Sequence, residues 1–256
     1  MASRVNGLAR RQMIPSTARG ARPGYSDGVS LRERMGFWRQ FRRQSANTGA
    51  VTPSSRYLAA AMVRPLRQHR QASSAKSIQV VEMGPGTGVI TREIARILQP
   101  GDALDCYEID AGFARCLRQR VAIDELFEPV RDSVRVHVMP AQEARLESDA
   151  QFVICSVPLN NLSPGAVRDI FATGARLLGG GGWFTYFEYI ALAALKRQFA
   201  NAAERLRIDG VQRAKSSHGA GATETQLVWA NLPPARAVHR RSSTNGVASQ
   251  GTRLCR

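Results

Sequence analysis

Two glutamates and three closely spaced glycines of this sequence could together bind a nucleoside cofactor. Gly84, Gly86 and Gly88 follow a run of strand-forming residues that ends near Glu82. Glycine permits a tight turn and lets the backbone approach a ligand closely. Twenty residues after the last glycine, a second strand-like run ends at Glu108. A carboxylate at that point can accept both hydroxyls of a ribose, so the spacing predicts a nucleoside site between a strand, a turn and a helix.

The elements that must position these residues alternate between strands and helices from Ser77 onward. Strands are predicted at 78–81, 103–108, 133–139, 152–156 and 183–189, with two more near 208–214 and 223–231. Helices are predicted at 89–98, at 111–120, from Ser163-Pro164 to the glycines at 179–182, and from 190 to about Arg205. This alternation favours a mainly parallel sheet with helices on both faces.

The N-terminal part of the chain predicts two further helices. In residues 34–43, one side of a helix would carry aromatic rings and much of the rest would carry arginines, a pattern typical of a helix in a membrane interface. The rings are Phe37, Trp38 and Phe41, and the arginines are Arg39, Arg42 and Arg43. The alternative is a helix that packs its phenylalanines on the domain. A second helix, capped by Ser54 or Ser55, would run to about Arg67 and bury Leu58, Met62, Val63 and Leu66.

The charge of the chain indicates a polyanionic partner. The formal net charge is +16 and the pI is about 11.1, which suits either nucleic acid or an anionic membrane surface. Residues 1–33 and the stretch after Pro234 are rich in arginine, and we expect both to be disordered tails. Much of the excess charge would then lie outside the folded core.

Three features of the sequence favour a cytoplasmic protein. No stretch reaches the roughly 20 apolar residues of a membrane span, and the N-terminus lacks the apolar core of a signal peptide. The four cysteines form no CxxC pair, and Cys106 and Cys155 fall in predicted core strands, which predicts reduced thiols and no metal site. Membrane association would therefore be peripheral, at the inner face of the cell membrane.

The motif Glu82-Met-Gly-Pro-Gly-Thr-Gly88, together with Glu108, resembles the S-adenosylmethionine site of class I methyltransferases. A nicotinamide dinucleotide is the rival cofactor, but its fingerprint places the third glycine one residue later. The resemblance implies a Rossmann-like α/β fold with a mostly parallel seven-stranded sheet and an N-terminal helical extension. It implies that Glu82 lies near the methionine ammonium and that Glu108 holds the ribose. The implied cofactor-binding residues are Glu82, Gly84, Gly86, Thr87, Gly88, Glu108, Ile109, Ala141, Gln142 and Ser156.

The loop after the fourth strand separates two families that share this turn. In rRNA adenine dimethyltransferases the loop carries an asparagine that binds the adenine amine and an aromatic ring that stacks on the flipped base. Residues 156–159 of this chain read Ser-Val-Pro-Leu and offer neither group. The chain instead resembles bacterial phospholipid N-methyltransferases over roughly 37–239, through the stretches 41–56, 81–91, 156–159 and 228–235.

This second resemblance implies methylation of the amine of phosphatidylethanolamine or of an ornithine lipid by a peripherally bound enzyme. The alternatives are an rRNA adenine N6-methyltransferase and a non-catalytic module that binds lipid or RNA. No obligate protein partner is inferred. The expected organisation is a basic tail at 1–33, helices at 34–70, a methyltransferase domain at 71–235 and a basic tail at 236–256.

Candidate acceptor-side residues are those that can orient an amine or stabilise a methylated ammonium. Aromatic faces attract such cations, and the fourth and fifth strands end beside the expected ligand site. The catalytic candidates are Tyr57, Asn160, Tyr186 and Glu188, with Tyr189 next to them. The alternative is a packing role for the tyrosines and the glutamate, and a turn-capping role for Asn160.

Overall fold

The structure, a computed structural model, describes residues 53–73, 77–190, 200–216, 222–231 and 233–242. Within these ranges the α-helices are α1 (Pro53–Met62), α2 (Arg64–Ala72), α3 (Val89–Ala95), α4 (Ala111–Ile123), α5 (Pro164–Leu177) and α6 (Ala202–Ser216). The strands are β1 (Gln79–Met83), β2 (Ala103–Glu108), β3 (Val134–Val138), β4 (Ala150–Cys155), β5 (Leu178–Tyr189), β6 (Thr223–Val228) and β7 (Ala235–Arg241). Short 3₁₀ helices occupy Glu125–Ser133, Ala141–Glu143 and Leu159–Asn161.

The strands form one seven-stranded sheet in the order β3-β2-β1-β4-β5-β7-β6. The four pairings among β1 to β5 are parallel, whereas β7 is antiparallel to both β5 and β6. The order reverses between β1 and β4, and open α/β sheets bind ligands at such a reversal, beyond the carboxyl ends of the strands. We call this side of the sheet the carboxyl edge and the opposite side the amino edge. The predicted α/β class and seven-stranded sheet are confirmed.

Helices cover both faces of the sheet. One buried apolar cluster joins the sheet to α1 to α4 and includes Leu66, Ile94, Leu117 and Phe127. The other joins it to α5 and α6 and includes Phe171 and Val211. The β-branched and aliphatic runs of β1 and β4 are buried on both faces, which explains why they read as continuous apolar segments rather than alternating ones.

Local sequence signals placed the starts of three helices, at Val89, Ala111 and Pro164. Ser163 caps α5, because its hydroxyl accepts from the N–H of Ala166 at 3.2 Å, and Pro164 follows as the first helical residue. Asp110 caps α4 by accepting from Gly112 and Phe113. The predicted helix after Ser54 divides at Val63 into α1 and α2. Its expected inner residues Leu58, Met62, Val63 and Leu66 are all buried.

Two predictions near the C-terminal end were wrong. Residues 208–214 were expected to form a strand but lie in α6. Its buried residues Gly210, Val211, Ala214 and Lys215 recur with the period of a helix, and a Cβ on Gly210 would lie 2.7 Å from Pro164 Cγ, so α6 packs closely on α5. Residues 236–241 were expected in a disordered tail but belong to β7, an interior strand of the sheet.

Several predictions lie outside the described residues. These are the aromatic and basic helix at 34–43, the tail at 1–33, the part of the second tail from 243 onward and the helix start at 191–199. Among the helices that the structure describes, none has the length and apolar character needed to cross a membrane. Cys106 and Cys155 are buried thiols, and burial raises the pKa of Cys155 to about 12, so neither is a reactive thiolate.

Candidate cofactor and acceptor site

The glycine turn between β1 and α3 is fixed by its backbone. Gly84, Gly86 and Gly88 have φ angles of 72°, 59° and 80°, in the left-handed region that other residues avoid. The N–H of Gly84 donates to the carbonyl of Tyr107 at 2.8 Å, and the N–H of Gly88 donates to that of Pro85 at 3.0 Å. A Cβ on Gly84 would lie 2.5 Å from Val157 Cγ2, so both conformation and space require glycine there.

Glu108, at the end of β2, holds this turn in place. It is fully buried, its Oε2 accepts from the N–H of Gly86 at 2.9 Å, and its Oε1 accepts from the N–H of Asp110 at 2.9 Å. The sequence predicted Glu108 as a ribose acceptor, and the structure adds this contact with the turn.

Glu82 ties the ends of β1 and β4 to α3. Its Oε2 accepts from the hydroxyl of Thr91 at 2.6 Å, and its Oε1 accepts from the hydroxyl of Ser156 at 2.8 Å. The backbone N–H of Ser156 also donates to the carbonyl of Met83 at 2.9 Å. Glu82 is fully buried, and each of its two carboxyl oxygens accepts a hydrogen bond from a hydroxyl. A negative charge at this point is complementary to the ammonium of an amino acid.

The remaining predicted cofactor residues surround the same edge. Ile109 follows β2 and is half-buried, while Ala141 and Gln142 form a 3₁₀ turn after β3. The carbonyl of Gln142 accepts from the Thr173 hydroxyl at 2.9 Å, which anchors this turn to α5. Thr87 is exposed at the tip of the glycine turn, and its carbonyl accepts from Arg120 on α4. The individual roles of these residues stay predictions.

These residues fit S-adenosylmethionine on the geometry of the turn itself. The three left-handed glycines give the turn a tight bend at the carboxyl edge, and the turn leads into the N-terminus of α3. Two buried carboxyl groups, those of Glu82 and Glu108, flank the turn on neighbouring strands paired in parallel. Glu82 would hold the ammonium of the cofactor and Glu108 its ribose hydroxyls.

A second group of polar residues lies at the carboxyl edge beyond β4 and β5. The Nζ of Lys215 on α6 donates to Glu188 Oε1 at 2.5 Å and to Asn160 Oδ1 at 3.1 Å. Arg236, at the start of β7, donates through Nε to Glu188 Oε2 at 2.7 Å. We call Asn160, Glu188, Lys215 and Arg236 the acceptor-side cluster. It joins residues that are up to 76 positions apart in the sequence.

Charge balance keeps Glu188 ionised. Burial alone would raise the pKa of this carboxyl, but Lys215 and Arg236 outweigh burial and lower the pKa below its ordinary value. Burial lowers the pKa of Lys215, and the ion pair with Glu188 offsets this effect only in part. A carboxylate with a lowered pKa and two cationic partners is a poor proton acceptor, so its contacts favour a role in charge placement.

The other catalytic candidates lie in different surroundings. Tyr186 is buried in the core against Phe171 and Phe184, and burial raises its pKa to about 12. Tyr57 on α1 is 46% exposed, with the guanidinium of Arg56 lying 4.9 Å from its ring centre. Tyr189 is half-buried and packs edge-on against Phe187. The structure therefore brings Asn160 and Glu188 together and leaves both Tyr57 and Tyr186 outside their hydrogen-bonded cluster.

Sequence reasoning missed three residues of the site. Thr91, the partner of Glu82, falls one helical turn after the glycine turn, and a hydroxyl on the inner face of that helix was the available signal. Lys215 and Arg236 were missed because their segments were taken for a strand and a tail. Their signal is only visible in the fold, since a buried lysine looks like any other lysine in the sequence.

A groove of about 700 Å³ opens at the amino edge, far from these carboxylates along the strands. Three arginines line it, but each is paired with an acid: Arg70 with buried Asp102, and Arg67 and Arg96 with Glu93. Because each of these arginines is already held in an ion pair and the buried carboxyl groups beside the glycine turn lie at the opposite edge, we assign the functional site to the carboxyl edge.

Comparisons with known proteins agree with this geometry. A family described as "Ribosomal RNA adenine dimethylase" matches residues 62–163. The ornithine lipid N-methyltransferase of Singulisphaera acidiphila is 30% identical over 148 residues, which cover 58% of this chain and 73% of that protein.

Solved structures with low sequence identity share the fold. The O-methyltransferase TomG from Streptomyces achromogenes, solved with S-adenosylmethionine, has a TM-score of 0.56 and 16% identity over 85% of this chain and 93% of that chain. An O-methyltransferase from Bacillus cereus, solved with S-adenosylhomocysteine, has a TM-score of 0.56 and 14% identity over 85% of this chain and 94% of that one.

Proposed function

We propose that this chain methylates the amine head group of a membrane lipid. The chain belongs to the same family of class I S-adenosylmethionine-dependent methyltransferases as the ornithine lipid N-methyltransferase. The acceptor would be phosphatidylethanolamine and its methylated forms or an ornithine lipid. The enzyme would act while bound peripherally to an anionic membrane surface.

The observation that carries this proposal is the state of the loop after β4. Leu159 occupies the position of the aromatic ring in the adenine-binding loop, and it is only 1% exposed and packs in the core. Ser156 occupies the position of the asparagine, and its hydroxyl donates to Glu82. A flipped adenine would find no stacking ring at position 159 and no amide at position 156.

The match to the adenine dimethylase family does not favour RNA as the acceptor. Residues 62–163 span the strands and loops of the cofactor half, which the two families share, and they end before β5, β6 and β7. The similarity to the lipid enzyme, at 30% identity over 148 residues, is what supports an amine on a lipid.

The chain's own residues would contribute mainly by positioning. The bound cofactor supplies a methyl group on a positively charged sulfur. The protein must align a neutral amine with that methyl group and exclude water, and alignment alone can supply a large share of the rate. Glu82 and Glu108 would fix the cofactor, and the acceptor-side cluster would fix the head group. The proton that the amine loses needs an acceptor other than Glu188, whose pKa is lowered.

Exposed apolar side chains at the carboxyl edge support a membrane-bound acceptor. Leu227 and Trp229, at the end of β6, are 53% and 69% exposed. Strand β6 runs parallel to β5, so both residues lie on the same edge of the sheet as the glycine turn. Tryptophan is favoured at membrane interfaces, and nearby arginines are attracted to anionic lipid. The aromatic and basic segment 34–43 would add a second contact.

The deciding experiment supplies the full chain and labelled S-adenosylmethionine with separate acceptors. Liposomes containing phosphatidylethanolamine, liposomes containing an ornithine lipid, and rRNA would each be tested. We expect label in a lipid amine and none in RNA. Label only in RNA would overturn the proposal, and so would the absence of label from every acceptor while the protein binds S-adenosylhomocysteine in calorimetry.

Membrane docking has its own test. Leu227→Ser with Trp229→Ser should weaken pelleting with anionic liposomes several-fold and leave S-adenosylhomocysteine affinity unchanged. The matched control is Ile123→Ser, because Ile123 is 81% exposed but ends α4 at the amino edge. Equal pelleting of the double variant and the wild type would remove this surface from the proposal.

A further inference from the structure

The charged groups of the acceptor-side cluster lie on one face of the sheet. Glu188 and Arg236 are on neighbouring strands, and Lys215 reaches Glu188 from the helix that covers this face. Glu188 on β5 lies directly opposite Arg236 on β7, and Arg236 lies directly opposite Leu227 on β6. Residues paired in this way on antiparallel strands project from the same face, so all three share the face that α6 covers through Lys215. This set of paired residues ends at exposed Leu227, next to Trp229.

The cluster carries more positive than negative charge. Glu188 is its only acid among the described contacts, and it receives Lys215 on one oxygen and Arg236 on the other. The side chain of Lys215 is 2% exposed, whereas that of Arg236 is 47% exposed. The excess positive charge is therefore presented to the outside through Arg236. A guanidinium has five N–H groups, more than one carboxylate oxygen can accept, so its outer side can donate to an anion.

Asn160 is oriented by the same lysine. An ammonium group can only donate, so the amide atom 3.1 Å from Lys215 Nζ must be the oxygen. The amide nitrogen of Asn160, with its two N–H groups, is then the end that remains to meet an acceptor molecule. An amide in this orientation presents its N–H donors outward, which suits an oxyanion.

We propose that Arg236 and Asn160 form a subsite for the anionic group of the acceptor, a phosphodiester or a carboxylate, while Lys215 and Glu188 position them. This inference rests on the proposed function and names how the head group is recognised. The subsite would hold an acceptor by its negative charge and leave the amine to the cofactor. Leu227 and Trp229 beside it suit the apolar part of an amphiphile.

The number of cations in the cluster argues against a purely structural role for it. One cation is enough to neutralise the buried carboxylate of Glu188, and Lys215 already supplies it. The cluster nevertheless holds a second cation whose outer side faces solvent at the carboxyl edge. An anionic ligand at that position would complete the charge balance.

The test compares anionic and neutral acceptors in Arg236→Gln. With phosphatidylethanolamine and with an ornithine lipid, we expect the KM for the acceptor to rise about tenfold, while the KM for a long-chain alkylamine without an anionic group stays within twofold. A rise in only one lipid arm would identify the anion as phosphodiester or carboxylate. The affinity for S-adenosylhomocysteine, measured by calorimetry, should not change.

The matched control is Arg241→Gln, which removes the same charge from the exposed far end of the same strand, near the amino edge. It should leave every KM unchanged. A second variant, Asn160→Asp, keeps a partner for Lys215 and so should fold, but it replaces N–H donors by an anion. We expect it to raise the KM for both lipids and to spare the alkylamine. If either variant changes anionic and neutral acceptors equally, or changes neither, the subsite is overturned.

Failure of the subsite and failure of the proposed function can be told apart. Binding of soluble glycerophosphoethanolamine to the protein saturated with S-adenosylhomocysteine measures the subsite without turnover. Binding that Arg236→Gln weakens about tenfold, with no methyl transfer to lipid, would support the subsite and overturn the function. Methyl transfer to lipid that is insensitive to both variants would do the reverse.

Discussion

The cofactor half of the site is assembled from residues 82–110 with help from Ser156, whereas the acceptor-side cluster draws on residues from 160 to 236. In the cofactor half, the backbone does much of the work: left-handed glycines, and N–H groups of the turn that donate to Glu108. In the acceptor half, the site is held together by the charged side chains of Lys215, Glu188 and Arg236. Both halves lie on the same edge of one sheet.

The two halves differ in how far their residues can be substituted. A turn that binds through its backbone tolerates little change, because a Cβ at Gly84 would meet Val157 at 2.5 Å. A cluster held by side-chain charges can accept another anion when one residue changes. We therefore expect the cofactor half to report the reaction class that many methyltransferases share, and the proposed acceptor half to report the substrate. Three predictions test whether the halves are separable in this way.

The largest expected effect is the loss of cofactor binding in Gly84→Ala. The left-handed backbone costs a side chain about 1–2 kcal/mol, and the contact with Val157 adds overpacking of about 1–3 kcal/mol. Together we expect the unfolding free energy to fall by about 3 kcal/mol. Because the turn must shift to admit the methyl group, we also expect a roughly 100-fold loss of S-adenosylhomocysteine affinity in calorimetry.

Gly101→Ala is the matched control for this prediction. Gly101 has a φ of 94°, but a Cβ there would meet nothing within 4 Å, and it lies at the amino edge. It should lose about 1–2 kcal/mol of unfolding free energy from backbone strain and keep its cofactor affinity. Equal cofactor affinity in both variants would contradict the role given to the space around Gly84.

The next effect is on stability, in Lys215→Met. Removing the ammonium leaves Glu188 Oε1 and Asn160 Oδ1 without a donor that the fold supplies, and breaking a buried ion pair costs about 3 kcal/mol. We expect that loss in urea unfolding, a raised KM for the lipid, and an unchanged affinity for S-adenosylhomocysteine.

Arg213→Met, an exposed change on the same helix, is the control and should stay within about 0.5 kcal/mol of the wild type. A fall in cofactor affinity in Lys215→Met would show that the two halves are not separable.

The smallest effect is a pH dependence carried by β7. His239 is fully buried, and burial, with a further contribution from Arg64, lowers its pKa to about 4, although Glu224 partly opposes this. Between pH 6.5 and 4 the unfolded chain binds a proton that the folded chain does not, so the free energy of unfolding must fall as the pH falls. The full effect is about 3 kcal/mol, reached only near pH 4.

His239→Asn should flatten this slope, because asparagine keeps a polar atom near the Thr185 hydroxyl but does not titrate. Urea unfolding between pH 6.5 and 5, above the range where carboxylates titrate, measures it. No histidine lies between residues 77 and 110, so the cofactor turn should not contribute. An unchanged slope in the variant would assign the acid dependence to other groups.

Prediction from the sequence succeeded where the signal was local. The strand at 103–108 was placed at its observed bounds, and Ser163-Pro164 marked the start of α5. Prediction from the sequence failed for residues 208–214, which form part of a helix, and for residues 236–241, which form part of a strand. In the first, short apolar residues at helical spacing were read with the wrong period. In the second, a high arginine content was taken for disorder, although those arginines pair with Glu188 and with the backbone of α6 inside the fold.

The cofactor turn could be predicted from the sequence alone. Its left-handed positions require glycine, and the carboxylate that contacts the turn ends the next strand along the chain. The sequence did not determine the acceptor-side cluster. The ammonium group of Lys215 is buried because a carboxylate and an amide oxygen accept hydrogen bonds from it. These partners, Glu188 and Asn160, lie 27 and 55 residues away in the sequence. Only the packing of α6 on β5 and β7 brings them together, because the cost of burying a charge depends on its three-dimensional neighbours and not on its place in the chain.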